Sequence, residues 1–365
     1  MKLGIIGLPN SGKTTVFNAL TGQAVEAVAY PTPIGEDAHV GIVKVPDTRI
    51  NRLSEIYKPK KTTFADVTCV DITGFAAGIS ASKQKAKVFD QVWDVDAIIH
   101  VVRAYEDQAI VHPDGDIDPV RDAAALDLEL VFHDLELVET RLERIANSMK
   151  KGIGDGLEPE RDILERFRAQ LEEEKPLRNL MISDEEHSVI GSLQFVSLKP
   201  ELVMLNVGED DIGSEATAEA LAALNGHFQG KEAEVFALCG KIEMELTQLD
   251  PGEARAFLED LGIEEPAMNL VIRKAYELLG LISFFTTGED EVKAWTIRNG
   301  THAVKAAGKI HSDIERGFIR AETISYDDFI AAGSTAKGKE LGTLRLEGKD
   351  YIVQDGDIVN FRFNV

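Results

Sequence analysis

The sequence predicts an α/β fold in which a doubly wound, mostly parallel sheet is interrupted by a long helical insertion and followed by a smaller mixed β module. Three observations lead there. Five short runs rich in β-branched residues, KLGIIGL (2–8), DVTCVDI (66–72), AIIHVVR (97–103), ELVMLNV (201–207) and EVFALC (234–239), are nearly continuously apolar, as strands covered on both faces require. Between the third and fourth runs, Leu128, Val131, Leu135, Val138, Leu142, Ile145 and Met149 recur at spacings of three and four, the seam of one long helix. After YELLGLISFF (276–285), short strand-like stretches alternate with Gly and Asp turns.

The first run opens into GLPNSGKT, Gly7 to Thr14, which fits G-x-x-x-x-G-K-[ST] and leads into TTVFNAL, a helix with Val16, Phe17 and Leu20 on one face. Such a P-loop curls so that successive main-chain N–H groups point at a β-phosphate, while the helix N-terminus adds its positive end. Gly7, Asn10, Ser11 and Gly12 form the expected cradle. Lys13 should bridge the β- and γ-phosphates, the Thr14 hydroxyl should ligate Mg²⁺, and Thr15 should reach the α-phosphate.

The second run ends in DITG. Asp71 is therefore expected beside the Mg²⁺, with the Gly74 N–H turned to the γ-phosphate. Many GTPases follow that glycine with a Gln that orients the attacking water. Here Phe75 stands in its place and has no hydrogen bond to offer, so either hydrolysis is slow or another polar group reaches in. His112, in the loop EDQAIVHPDGDID, is the candidate, because imidazole can position or deprotonate water. His39, in GEDAHVG, is a weaker competitor. No His, Cys and Asp spacing suggests zinc.

In the insertion, GIGDGLEPE breaks the long helix, and Leu164, Phe167 and Leu171 resume the pattern before Pro176. An antiparallel helical hairpin is expected, with residues 1–120 and 196–280 as the nucleotide-binding domain, 121–195 as a coiled-coil arm and 281–365 as the C-terminal module. Within that module EVKAWTI, FIRAETIS, LGTLRLE, KDYIVQ and IVNFRFNV read as strands, and DIERG and DDFIAAG as helices.

The fourth run continues into LNVGED, where a guanine-reading protein would carry Asn-Lys-x-Asp. The Asp of that motif accepts two hydrogen bonds from guanine and the Lys packs along the ring. Here Val207 replaces the Lys and Glu209 stands in the Asp position, so the guanine clamp is gone. Adenine presents a 6-amino donor beside an N1 acceptor, which Asn206 or the main chain around Val207 could satisfy. These residues favour ATP over GTP.

A net charge of −24 argues against a generic polyanion binder. The charge is uneven, since between Leu281 and Val365 eleven Lys and Arg stand against thirteen Asp and Glu. Contact with RNA is thus least opposed there, and Lys305, Lys309, Arg316 and Arg320 form a local basic group. Cys69 and Cys239 lie in apolar runs, which points to a reducing compartment such as the cytoplasm. The N-terminal apolar run is too short for a signal core or membrane span. Neither a membrane nor DNA is expected as a partner.

On GLPNSGKTTVFNAL, DITG, the Asn-x-x-Glu of NVGE, and especially AGKIHSDIERGFIRAETISYDDFI with EGKDYIVQDGDIVNFRFNV, the sequence resembles the YchF / Obg-like ATPase family, a branch of P-loop GTPase relatives. The resemblance spans nearly the whole chain. It implies an ATP-preferring hydrolase weaker on GTP, a coiled-coil arm, a C-terminal TGS domain of β-grasp fold, and ribosomes or ribosomal RNA as partners in translation or stress regulation. It also matches His112 by position to a loop histidine tied to hydrolysis. Two departures stand out. Ile34 occupies the position of the Mg²⁺-capping Thr of the first switch, with Thr32 two residues early, and GISASKQKAKVF replaces a glycine-rich second switch. A GTP-preferring translational GTPase, and a nucleotide-binding module that scarcely hydrolyses, remain the alternatives.

Overall fold

The computed structural model describes residues 1–25, 39–72, 82–113, 115–154, 156–228 and 233–364. Its strands are β1 (Lys2–Ile6), β2 (His39–Lys44), β3 (Lys61–Thr63), β4 (Asp66–Asp71), β5 (Ala97–Arg103), β6 (Glu201–Asn206), β7 (Ala233–Leu238), β8 (Leu281–Thr287), β9 (Glu291–Arg298), β10 (Phe318–Ser325), β11 (Arg345–Glu347) and β12 (Asp357–Phe363). The helices include α1 (Lys13–Thr21), α2 (Thr48–Tyr57), α3 (Ser82–Trp93), α4 (Pro119–Lys150), α5 (Glu158–Glu172), α6 (Asp184–Ile190), α7 (Glu215–His227) and α8 (Gly240–Leu246). A further helix, α9, runs over Pro251–Asp260, α10 over Ala267–Leu278 and α11 over Ala303–Ile310.

All five apolar runs become strands of one sheet, in the order β2-β4-β1-β5-β6-β7. β1 pairs in parallel with β4 and β5, and β5, β6 and β7 continue the parallel array. Every residue of β5 and β6 is buried, which explains their lack of polar alternation. The edge strand β2, HVGIVK, is mostly exposed or half-buried and gives no comparable signal in the sequence. Strand order reverses on either side of β1, and at such a switch point the carboxyl ends of the strands form the ligand crevice of an open α/β sheet.

The helical insertion is a hairpin. α4 begins at Asp118, whose side chain accepts from Val120 N and Arg121 N, with Pro119 in the first turn. Along it Val131, Val138, Leu142 and Ile145 pack against Ile163, Leu164, Phe167 and Leu171 of α5 and against Leu177 and Phe195. The first turns of α4 behave differently. Leu126 and Leu130 belong to the cluster around Ile6, Val92 and Ile98, so the first turns of α4 pack on the sheet.

Buried acids on α4 reinforce that attachment. Asp134 accepts from Val196 N at 3.0 Å, Ser197 N at 2.7 Å and Ser197 Oγ at 2.6 Å. Arg178, on the return from α5, bonds Asp127 and lies 2.6 Å from Glu201 Oε2, while Glu201 Oε1 sits 2.7 Å from His100 Nδ1. A buried charge is tolerated only when it is paired and hydrogen-bonded, so these groups fix the hairpin base to β5 and β6.

Residues 1–41 and 68–268 form one compact unit, and residues 42–67 with 269–365 form a second. The second unit holds the sheet β11-β10-β12-β8-β9-β3. β8 and β9 form an antiparallel hairpin, β10 and β12 pair antiparallel, and β12 runs parallel to β8. Helix α11 lays Ala303, Ala306 and Ala307 against Phe284, Ile297, Phe318 and Phe361. This is the expected β-grasp arrangement, enlarged by β3, which pairs in parallel with β9 although it lies far earlier in the chain. KDYIVQ is not a strand. Its main chain instead meets the α11 turn, Tyr351 O accepting from Ala303 N and Val353 N donating to Thr301 O, with only an Ile352–His302 bridge.

Both cysteines are free and buried. Among the described residues no helix is long and apolar enough to cross a membrane.

Phe167 is fully buried and meets Phe195 edge-to-face at 5.3 Å. Phe167→Ala is expected to cost the hairpin about 3–5 kcal/mol, read as a midpoint shift in urea unfolding followed by circular dichroism. A loss below about 1 kcal/mol contradicts this packing.

Candidate functional site

The loop between β1 and α1 is held by constraints that its sequence dictates. Gly7 and Gly12 have φ of 155° and 95°, and Asn10 has φ of 63°. A Cβ on Gly12 would strike Asn206 Nδ2, and one on Gly7 would strike the Val101 carbonyl oxygen, so neither position admits a side chain. Gly12 is also the N-cap of α1 and offers no side-chain cap, which leaves the helix N-terminus open to an anion. Thr14 and Thr15 stand in the first turn of this helix.

Lys13 Nζ donates to Gly7 O and Leu8 O, both at 2.9 Å. Burial pulls its ammonium down to about 8, and the Asp71 carboxylate offsets only part of that shift. Burial pushes the Asp71 carboxyl above its usual range, against the pull of Lys13, Thr14 and His39. Thr14 Oγ1 donates to Asp71 Oδ2 at 3.0 Å, and Asp71 Oδ1 is buried with no hydrogen-bond partner. A hydroxyl and a carboxylate side by side, one oxygen unsatisfied, form the oxygen donor set that Mg²⁺ takes while keeping several waters.

The two candidate histidines lie in different places. His39 Nδ1 is 3.9 Å from Asp71 Oδ2. His112 is buried, and its Nε2 lies 2.8 Å from Asp122 Oδ2 in the first turns of α4. Its loop is fastened to the phosphate loop, Asn10 Nδ2 donating to Val111 O at 3.1 Å and Tyr105 Oη to Asn10 O at 2.8 Å. Thr32, Ile34, Gly74 and Phe75 lie outside the described residues.

In the base-reading segment the side chains of Asn206, Val207 and Glu209 each have a protein partner. Asn206 is 4% exposed, its Nδ2 donates to Ser11 O at 3.0 Å, and its Oδ1 accepts from Gly240 N at 3.0 Å. The side chain therefore holds the phosphate loop to the start of α8. Val207 is buried in the apolar cluster beneath, and its N–H goes to Leu238 O at 2.9 Å. Glu209 Oε1 pairs with Lys241 Nζ at 2.6 Å. Sequence reasoning missed the turn Cys239–Lys241 after β7, whose only signal was its position at the end of the fifth apolar run.

A phosphate loop with an uncapped helix terminus, a buried lysine and a Thr–Asp pair, all at the carboxyl ends of a parallel sheet, defines a P-loop nucleotide hydrolase of the GTPase class. Comparison with known proteins narrows the class. A family model described as a 50S ribosome-binding GTPase matches residues 2–131, and the YchF-GTPase C-terminal model, described as a protein of unknown function, matches residues 281–364. The chain is 43% identical to the ribosome-binding ATPase YchF of Bacillus subtilis over 99% of both chains, and 41% identical to that of Escherichia coli O157:H7 over 100% of this chain and 99% of the other. The structure of the Schizosaccharomyces pombe YchF GTPase superposes with a TM-score of 0.85 at 32% identity, covering 99% of this chain and 97% of that one. The chain belongs to the YchF family.

With Lys13 at about 8 in the free protein, a bound triphosphate should raise it, so binding takes up protons and weakens as pH climbs past 8. At pH 8, calorimetry in buffers of different ionisation enthalpy should reveal uptake of about half a proton per site, absent in Lys13→Ala. Identical enthalpies across buffers contradict the assignment.

Proposed function

We propose that the chain is a Mg²⁺-dependent ATPase of slow intrinsic turnover, weaker on GTP, whose nucleotide state governs its binding to ribosomes in the cytoplasm. The observation that carries the reading is the Thr14–Asp71 pair beside Lys13 at the open end of α1. In this reading the main-chain amides from Gly7 to Thr15 grip the phosphates, Lys13 neutralises charge on the leaving and transferred groups, and Thr14 with Asp71 holds the Mg²⁺. A Mg²⁺ held by Thr14 and Asp71 would supply positive charge against the phosphates during hydrolysis.

The missing guanine clamp supports ATP as the preferred substrate. With Asn206 committed to the phosphate loop, the base is left to the surroundings of Val207, Glu209 and the Cys239–Lys241 turn. The relatives' name, ribosome-binding ATPase, supports both the nucleotide and the partner. Within the expected basic group, Lys305 pairs with Glu315 and Arg316 with Asp313, which weakens the case for ribosomal RNA as the direct contact. The division into a nucleotide domain (1–120 and 196–280), an arm (121–195) and a TGS module (281–365) is part of the proposal, with the arm and module offered to the ribosome.

His112 is assigned the attacking water, by its match to the family loop histidine. A second reading has its own support, because His39 is the histidine near Asp71. Phosphate release from MgATP separates them. His112→Ala is expected to lower kcat about 100-fold, Lys13→Ala to abolish turnover, and His39→Ala to change kcat by less than about threefold. A large loss in His39→Ala with normal His112→Ala would transfer the role. Equal release from wild type, Lys13→Ala and His112→Ala would remove the enzyme reading.

A further inference from the structure

The His112 loop is fastened more firmly than a catalytic loop awaiting substrate needs to be. Arg103, at the end of β5, donates through Nε to Tyr105 O and through Nη2 to Ile110 O, both at 3.0 Å, with its guanidinium 4.5 Å from the Tyr105 ring. Beyond this brace His112 closes on Asp122, and both are close to fully buried. The other Asp122 oxygen accepts from Arg121 Nε at 3.0 Å and Nη2 at 2.9 Å. Arg121 in turn donates to Asp116 Oδ1 at 2.9 Å and to Asp116 O at 2.7 Å.

The two side chains line a small pocket of about 10 Å³, room for about one water, together with Leu8, Pro9, Ser11 and Arg103. Ser11 Oγ and Arg103 Nη1 are buried there without a hydrogen-bond partner. A buried imidazole whose Nε2 is engaged by a carboxylate has to give up that bond before the same nitrogen can turn to a water at a γ-phosphate.

We propose that Asp122 is a positioning residue for hydrolysis, holding His112 docked against the first turns of α4 so that turnover requires its release. The proposal rests on the assignment of His112 to the attacking water. It gives the helical hairpin a route to the chemistry, because Asp122 belongs to the helix that becomes the arm. A partner that displaces the start of α4 breaks the His112–Asp122 bond and frees the loop. The fraction of chains with His112 undocked then sets the observed rate.

The test is steady-state MgATP hydrolysis by the full chain carrying Asp122→Asn, an isosteric change that removes the charge from the bond. The expected result is a rise in kcat of about tenfold with KM unchanged, and no rise when Asp122→Asn is combined with His112→Ala. Arg121→Met, on the more exposed side of the pair, should give a smaller rise in the same direction and serves if Asp122→Asn does not fold. If His112→Ala lowers kcat but neither variant raises it, the docking proposal is overturned and the His112 assignment stands. If His112→Ala turns over like wild type, the assignment fails and the docking proposal fails with it.

Discussion

The site depends above all on the two hydrogen bonds that Asn206 makes from inside the protein. One runs to Ser11 O of the phosphate loop and the other from Gly240 N at the start of α8, while the Asn206 carbonyl accepts from Ala104 N at 2.8 Å. One residue at the end of β6 thus ties together the phosphate loop, the strand that leads to the His112 loop, and the turn at the start of α8. Gly12 must lack a side chain because Asn206 fills the space beside it. Removing a buried amide with two partners leaves a donor and an acceptor unpaired, and that penalty exceeds the net value of the bonds themselves.

A second set of buried polar groups performs the same service for the helical hairpin. Asp122, Asp127 and Asp134 point inward from α4 and engage the His112 loop, Arg178 and the main chain at Val196 and Ser197 respectively. Displacing α4 as a rigid rod would therefore disturb the sheet end of the helix before it disturbed the apolar seam with α5. Such bonds fix the register of the helix on the sheet more than they add to its stability.

Much of this was legible in the sequence, for identifiable reasons. The five apolar runs are strands because burial on both faces leaves no room for polar residues, and the phosphate loop was readable because its glycines answer to backbone geometry. The hairpin seam was readable for its period. The edge strand β2 escaped notice, since a half-exposed strand carries little hydrophobic signal. β3 was equally hidden, for a three-residue strand acquires meaning only from β9, more than two hundred residues later. Nothing in the sequence marks the acids of α4 as buried, and only their tertiary partners show it. Asn206 was legible as a candidate base contact, but its bonds to Ser11 and Gly240 were not, because sequence spacing shows where a residue falls on a strand and not what its side chain meets.

The central claim is that Asn206 builds the phosphate site and does not choose the base. Titration of ATP and GTP against wild type and Asn206→Ala tests it directly. The account expects both nucleotides to lose affinity by a similar factor, about 10- to 100-fold, with the ATP-to-GTP ratio unchanged. Loss of ATP affinity alone, with GTP binding intact, would contradict it.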